Sequence, residues 1–263
     1  MKKFISNRFV LFFLGVVFVV LLWVILSLSV DRNGAIFPSP LLTLEKFFEL
    51  LSDSYTYACL AYTLARLGIG FAISFGLALI LGVLAGNHHS LYHFLKPLIV
   101  VLRSIPTVAL VFLFVVLITP KDAPILIVTI ICFPILFEGF VGGIGNVDKQ
   151  FIEAAKVDGA SYFARIAFIK LPLAMPYIIV AMVSSFALSF KIEIMAEALT
   201  GYTKNGLGNV IAFAKGNAED ATPMVTVFAY SLFAILLMLI VSLLQELITT
   251  WLKKKGFTVV NNN

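Results

Sequence analysis

Lys191, Glu193 and Glu197 stand toward one end of an otherwise apolar run, and Glu193 and Glu197 are spaced to share one helix face. Ionisable side chains within a bilayer are costly unless they line a watered cavity or find partners. Two readings stay open: a polar lining of a path or its outer gate, and structural ion pairs at the membrane boundary. Arg66, Arg103 and Glu138 each stand singly in other apolar runs. A proton relay could be drawn through them, but pairing with backbone carbonyls or with one another inside a bundle is the expectation. An arginine beside a path would attract an anion, so Arg103 joins Lys191, Glu193 and Glu197 as a translocation-path candidate. His89 and His93 would share a face if helical, a spacing that suits a metal. Their segment, NHHSLYH, reads instead as a short polar turn without thiol or carboxylate, so solvated histidines and no metal site are expected. Cys59 and Cys132 have no metal-type spacing and read as buried thiols. No G-x4-G-K-[ST] phosphate loop occurs, and no nucleophile, base or ligand set converges, so the chain is expected to be no enzyme.

The elements that must position these residues are membrane spans. The chain is 61% hydrophobic and 13% charged over 263 residues, far from the balance of a soluble domain, and nucleic acid is not an expected partner. The expectation is an all-α integral membrane protein of about six spans. Residues 1–32 hold the first, Phe9 to Val30, which is longer than a signal-peptide core and lacks a small-x-small cleavage site. Residues 33–56 form a loop in which Leu41, Leu44, Phe47, Phe48 and Leu51 recur at helical spacing after FPSP, an amphipathic helix too short to cross. Residues 57–252 are the core. Its spans are Tyr57 to Gly86, Leu95 to Thr119 with an early break at RSIP, Ile125 to Gly145, Tyr177 to Leu199 and Met224 to Trp251. Gly82 with Gly86, and Gly139 with Gly143, read as small-xxx-small contacts. Residues 253–263 are the tail. With the N-terminus inside, Lys2, Lys3, Arg8, Lys96, Lys149, Lys156, Arg165, Lys170 and Lys253 to Lys255 all lie inside, against Arg32, Lys46, Lys121, Lys204 and Lys215 outside. That bias puts both termini in the cytoplasm and makes the 33–56 loop with its amphipathic helix extracytoplasmic.

Between two spans lies the one long charged stretch of the second half, Asp148 to Pro176. Asp148 suits an N-cap, Gly159 a left-handed C′ position and Ser161 a second N-cap, which predicts helix, hinge and a second short helix ending by Pro172. The first helix carries Phe151, Ile152, Ala155 and Val157 among charges, more apolar surface than a cytosolic loop would show without a partner.

Glu153-Ala154-Ala155, then Gly159, Ile169 and Leu171-Pro172, fill every fixed position of a pattern that resembles the EAA loop of binding-protein-dependent ABC importer permeases of type I. FPSP, LARLGIGF, LRSIP, MAEALTG and GLG resemble the nitrate, taurine, aliphatic sulfonate and thiamine-precursor branch, so that residues 35 to 252 are covered. The resemblance implies two permease copies, by default a homodimer, with two cytoplasmic ATPase subunits and an extracytoplasmic solute-binding protein. It also implies that Glu153, Ala154, Ala155, Gly159, Ile169, Leu171 and Pro172, within loop 148–172, form the coupling helices that seat on the ATPase. ATP and Mg would be bound by that subunit, with no cofactor in this chain. The implied location is a bacterial-type inner or plasma membrane, and the implied solute a small anion or a heterocyclic nutrient precursor. GLG at residues 206–208 reads either as a turn or as a contact with the binding protein. A gradient-driven secondary transporter or channel is the competing function, and no internal repeat supports it.

Overall fold

The computed structural model describes residues 8–30, 37–119, 121–201, 205–216 and 223–254, and among them it contains no strand. Backbone polar groups in a bilayer have no water to bond, so apolar runs of spanning length must be helical. In chain order the elements are α1 (Arg8–Val30), α2 (Pro40–Ser52), α3 (Ser54–Asn87), α4 (His89–Ser104), α5 (Thr107–Leu117), α6 (Ala123–Gly145), α7 (Lys149–Val157) and α8 (Tyr162–Arg165). A π-turn, Ile166–Lys170, then leads into α9 (Leu171–Thr200), followed by α10 (Leu207–Gly216) and α11 (Pro223–Lys254). Five helical stretches are long and apolar enough to cross a membrane, and the bent pair α4–α5 makes a sixth.

Ser39 accepts a hydrogen bond from Leu42 N at 3.3 Å and Pro40 opens α2, so the FPSP segment starts this helix as expected. The buried stripe is Thr43, Phe47 and Leu50, while Leu41, Leu44 and Phe48 are exposed. Apolar residues occupy more than one face, and packing against Tyr230 and Phe233 of α11 selects which of them is covered.

The centre of the bundle is α3, α6 and α9. A Cβ on Gly82 would lie 2.7 Å from Phe140 Cβ, and one on Gly86 would lie 3.0 Å from Ile144 Cβ, so α3 and α6 meet at backbone distance. Gly139 and Gly143 do the same for α6 against Ala181 and Ala174 of α9. Phe133, Phe137 and Phe140 fill the space beside these contacts. The first helix is attached much more loosely, chiefly by Trp23, whose Nε1 donates to Pro38 O at 3.0 Å and whose ring lies 6.1 Å from that of Phe228.

Two expectations are adjusted. The third apolar run breaks at RSIP as expected but starts earlier: α4 begins at His89 and not at Leu95, and α4 and α5 meet at 94°. Pro106 supplies no N–H and holds Ile105 extended at φ −71°, ψ 125°, which ends α4 between two helical halves. The histidine turn correspondingly shrinks to His88, since His89 and His93 are already helical. The second correction concerns Pro172. The helix after Ser161 does not end there but continues unbroken from Tyr162 to Thr200, 39 residues. Proline in an α-register clashes with the carbonyl four residues back; here Leu171 N bonds Ile166 O, and this wider turn carries the chain past the ring.

Gly82→Val should lower stability by about 1–3 kcal/mol through overpacking at Phe140. Gly76→Ala, where a Cβ meets nothing within 4 Å, should leave the thermal midpoint of the detergent-purified protein unchanged or higher.

Candidate functional site

The stretch from Asp148 forms a capped lever. Asp148 Oδ1 accepts from Gln150 N at 3.0 Å and opens α7. At its far end Ala160 N bonds Ala155 O at 2.9 Å and Gly159 N bonds Lys156 O at 3.2 Å, the paired bonds of a Schellman motif. Gly159 has φ +79° with open space where a Cβ would be, so glycine is needed here for conformation and not for room. Ser161 Oγ then accepts from Ala164 N at 3.2 Å and starts α8. Glu153 and Ala154 are exposed and Ala155 is buried, while Ile169 and Leu171 are half-buried and Pro172 is exposed. Val157 (87%) and Phe163 (79%) show how completely the apolar residues on both sides of Gly159 face outward.

At the other end of α9, the carboxylate of Glu197 is fully buried. Thr63 Oγ1 lies 2.9 and 3.1 Å from its two oxygens, Arg66 Nη1 donates to it at 2.8 Å and Gly208 N at 3.0 Å. Thr63 Oγ1 also accepts from Leu207 N at 2.9 Å, and Arg66 Nη1 reaches Asn205 O at 3.1 Å. These bonds tie α3, α9 and the start of α10 together. Gly206 has φ +139°, and a Cβ there would lie 2.5 Å from Glu197 Oε1; a Cβ on Gly208 would collide with Ile194 O. The GLG segment is thus a cradle for a carboxylate as well as a turn. Glu193, one helical turn earlier, is also fully buried, and its carboxylate has no hydrogen-bond partner among the described residues.

Arg103 and Lys191 both border a cavity at the bend between α4 and α5. Its volume is about 710 Å³, and its other walls include Pro106, Ile131, Ile135, Leu188 and Met195. Arg103 closes the last turn of α4, where a cation suits the helix dipole, and its Nη2 donates to Pro134 O at 3.3 Å. No carboxylate lines the cavity, so its charged groups are of one sign. Glu193 and Glu197 do not border it.

The histidines are exposed, as expected. His89 Nε2 and His93 Nε2 lie 2.7 Å apart, and no group of three or more metal-ligating side chains occurs among the described residues. Cys59 and Cys132 are buried free thiols.

Residues 78–254 match the model of the family described as the binding-protein-dependent transport system inner membrane component. The chain belongs to this family. It is 23% identical over 234 residues to a protein named as an aliphatic sulfonates transport permease, SsuC, of Bacillus subtilis, covering 89% of this chain and 84% of that one. Over 243 residues it is 24% identical to the nitrate import permease protein NrtB of Synechocystis, with 88% and 86% covered. The riboflavin transport system permease protein RibX of Chloroflexus aurantiacus is 27% identical over 218 residues, with 82% and 80% covered. A chain of the MetNI methionine ABC transporter, in an inward-facing form, superposes with a TM-score of 0.59 at 19% identity, over 78% of this chain and 97% of that one. This last likeness establishes the fold.

The protein is therefore a multi-pass ABC importer permease, a transport component. Within this permease the residues singled out by sequence fall into separate places. Arg103 and Lys191 share a cavity; Glu197 pairs with Arg66; the EAA positions run from α7 through the Gly159 turn and the π-turn into the first two residues of α9. Sequence reasoning missed Thr63 and the backbone donors of Leu207 and Gly208, because their joint target is set only when α3 and α10 close on α9. Asn87, His88, Tyr162 and Lys170 were missed for the same reason: Lys170 Nζ lies 2.5 Å from Asn87 Oδ1, and Tyr162 Oη lies 3.1 Å from His88 Nε2.

Removing one member of the buried pair should cost about 3–5 kcal/mol. Arg66→Met and Glu197→Gln should each lower the unfolding midpoint in detergent. Because they break the same bond, their combination should cost less than the sum, as a double-mutant cycle will show.

Proposed function

We propose that this permease forms half of a solute pathway in a bacterial-type inner or plasma membrane, and that two cytoplasmic ATPase subunits drive it. Both termini and α7 would face the cytoplasm, in keeping with the distribution of lysine and arginine. Glu153, Ala154, Ala155, Gly159, Ile169, Leu171 and Pro172 form the contact through which ATP hydrolysis is coupled. The observation that carries this reading is the exposed, doubly capped α7–α8 lever that continues, through the π-turn, into the helix bearing Lys191. A lever of fixed shape transmits displacement, and the fixed shape rests on the glycine conformation at 159. ATP and Mg would be held by the partner subunit. A second permease copy, by default identical, completes the pore, and an extracytoplasmic binding protein delivers the solute. Differential contacts of the lever in the open and closed states of the ATPase pair would shift the pore between inward and outward access.

The solute we infer is a small anion. Arg103 and Lys191 are the charged groups of the cavity, and two of the relatives are named for sulfonate and nitrate. The buried Glu193 and Glu197 serve the outer end of the pathway by shaping it from behind, since neither borders the cavity.

Gly159→Asp imposes about 1–3 kcal/mol of backbone strain at a positive φ and alters the lever. In proteoliposomes containing the ATPase subunits and the binding protein, this variant should insert normally and lose ATP-dependent uptake. Unchanged uptake, or failure of wild-type permease to retain an ATPase subunit in mild detergent, would overturn the coupling assignment. Arg103→Gln and Lys191→Met should each slow uptake of the anion about tenfold at saturating loaded binding protein, the loss expected for one charge-assisted contact. Normal rates in both would remove the cavity from the pathway.

A further inference from the structure

The α3–α4 corner meets the coupling segment at two side-chain contacts. Asn87 Nδ2 donates to Val83 O at 2.8 Å, which fixes the amide and turns Oδ1 toward Lys170 Nζ, 2.5 Å away. His88 Nε2 lies 3.1 Å from Tyr162 Oη, with the two rings 6.2 Å apart. His88 is itself tied to both helices that meet at it: its N–H bonds Leu84 O at 3.0 Å, and its carbonyl accepts from Leu91 N at 3.0 Å and Tyr92 N at 3.1 Å. A displacement of Tyr162 and Lys170 therefore reaches the first turn of α4. That helix remains a single element past Pro97 and ends at Arg103 and Ser104, about 22 Å away at 1.5 Å per residue. It packs on the core through Ile99, which is buried, and through the partly buried Leu91, Tyr92, Leu95 and Leu102, so it can carry a displacement as a unit.

We propose that the coupling segment drives both cations of the cavity at once, Lys191 through the unbroken Tyr162–Thr200 helix and Arg103 through the clamp of Asn87 and His88 on Lys170 and Tyr162. Asn87 and His88 are positioning residues: they touch no solute and act through α4. The two arms start on one lever and end on different helices at one cavity, so a single stroke of that lever changes the separation of the two charges that face the solute. Binding and release are thereby tied to the stroke. The proposal rests on α7 and α8 being the site of ATPase contact.

The test uses the complete complex, with ATPase subunits and binding protein, reconstituted in liposomes. An environment-sensitive fluorophore is placed on Ser104→Cys, beside Arg103, or on Leu188→Cys, beside Lys191; the native Cys59 and Cys132 are buried. In the otherwise wild-type complex both labels should respond to ATP. In Asn87→Ala/His88→Ala the response at 104 should disappear and that at 188 should persist, and solute moved per ATP hydrolysed should fall about thirtyfold, the effect of two lost hydrogen bonds on an equilibrium. Tyr162→Phe, which keeps the ring, should change both readouts in the same direction by less, and it serves if the double variant does not assemble. Equal responses at both labels in these variants, with an unchanged ratio of uptake to hydrolysis, would overturn the clamp. A different failure, in which neither label of the wild-type complex responds to ATP and no ATPase subunit is retained, would instead overturn the coupling assignment.

Discussion

A peptide N–H or C=O inside a bilayer must find its partner within the protein. The departures from plain α-helix in this bundle all obey that constraint. At Pro172 the backbone widens to a π-turn, and a helix that proline would otherwise stop goes on for the length of a span. At Ile105–Pro106 the helix breaks outright, beside an open cavity where backbone groups can be solvated. At Gly206–Gly208 the freed N–H groups of Leu207 and Gly208 are taken up by Thr63 and Glu197. Each irregularity has its own source of hydrogen bonds.

Charge is sorted by the same logic. Glu197 is tolerated at full burial because a guanidinium, a hydroxyl and an amide converge on it. Arg103 and Lys191 are paired with no carboxylate among the described residues and remain at a cavity wall. The glycine contacts decide where that cavity can be. They draw α3, α6 and α9 to backbone distance, leaving the space to open beside the bend between α4 and α5.

Much of this was legible in the sequence because it depends on neighbours along the chain. The spans follow from run length, and the caps of α7 and α8 from Asp148, Gly159 and Ser161 at fixed offsets. The glycine pairs were readable as contacts, though not which helix each would meet. The break at Pro106 was visible as a break, but its angle depends on how α5 packs against α6 and α9. Pro172 misled because proline is a reliable stop only in an α-register, and the one-residue widening that admits it leaves no mark on hydrophobic periodicity. The fate of Lys191, Glu193 and Glu197 could not be read locally either. Adjacent turns of one helix carry one charge to a cavity and another to a cradle, and the difference is made by Thr63, Arg66 and Gly208 from distant parts of the chain.

The loose attachment of α1 bears on how the molecule is made. Only 6% of its most apolar window is covered by protein, and its link to the bundle runs through Trp23 to Pro38 and Phe228. Such a helix is at equilibrium with lipid as soon as it leaves the insertion machinery and does not wait for later segments to be synthesised. The glycine-packed α3, α6 and α9 are the opposite case, since their buried faces are complete only when the last of them has arrived. The first helix is thus complete in lipid by itself, whereas α3, α6 and α9 complete their shared surface only together.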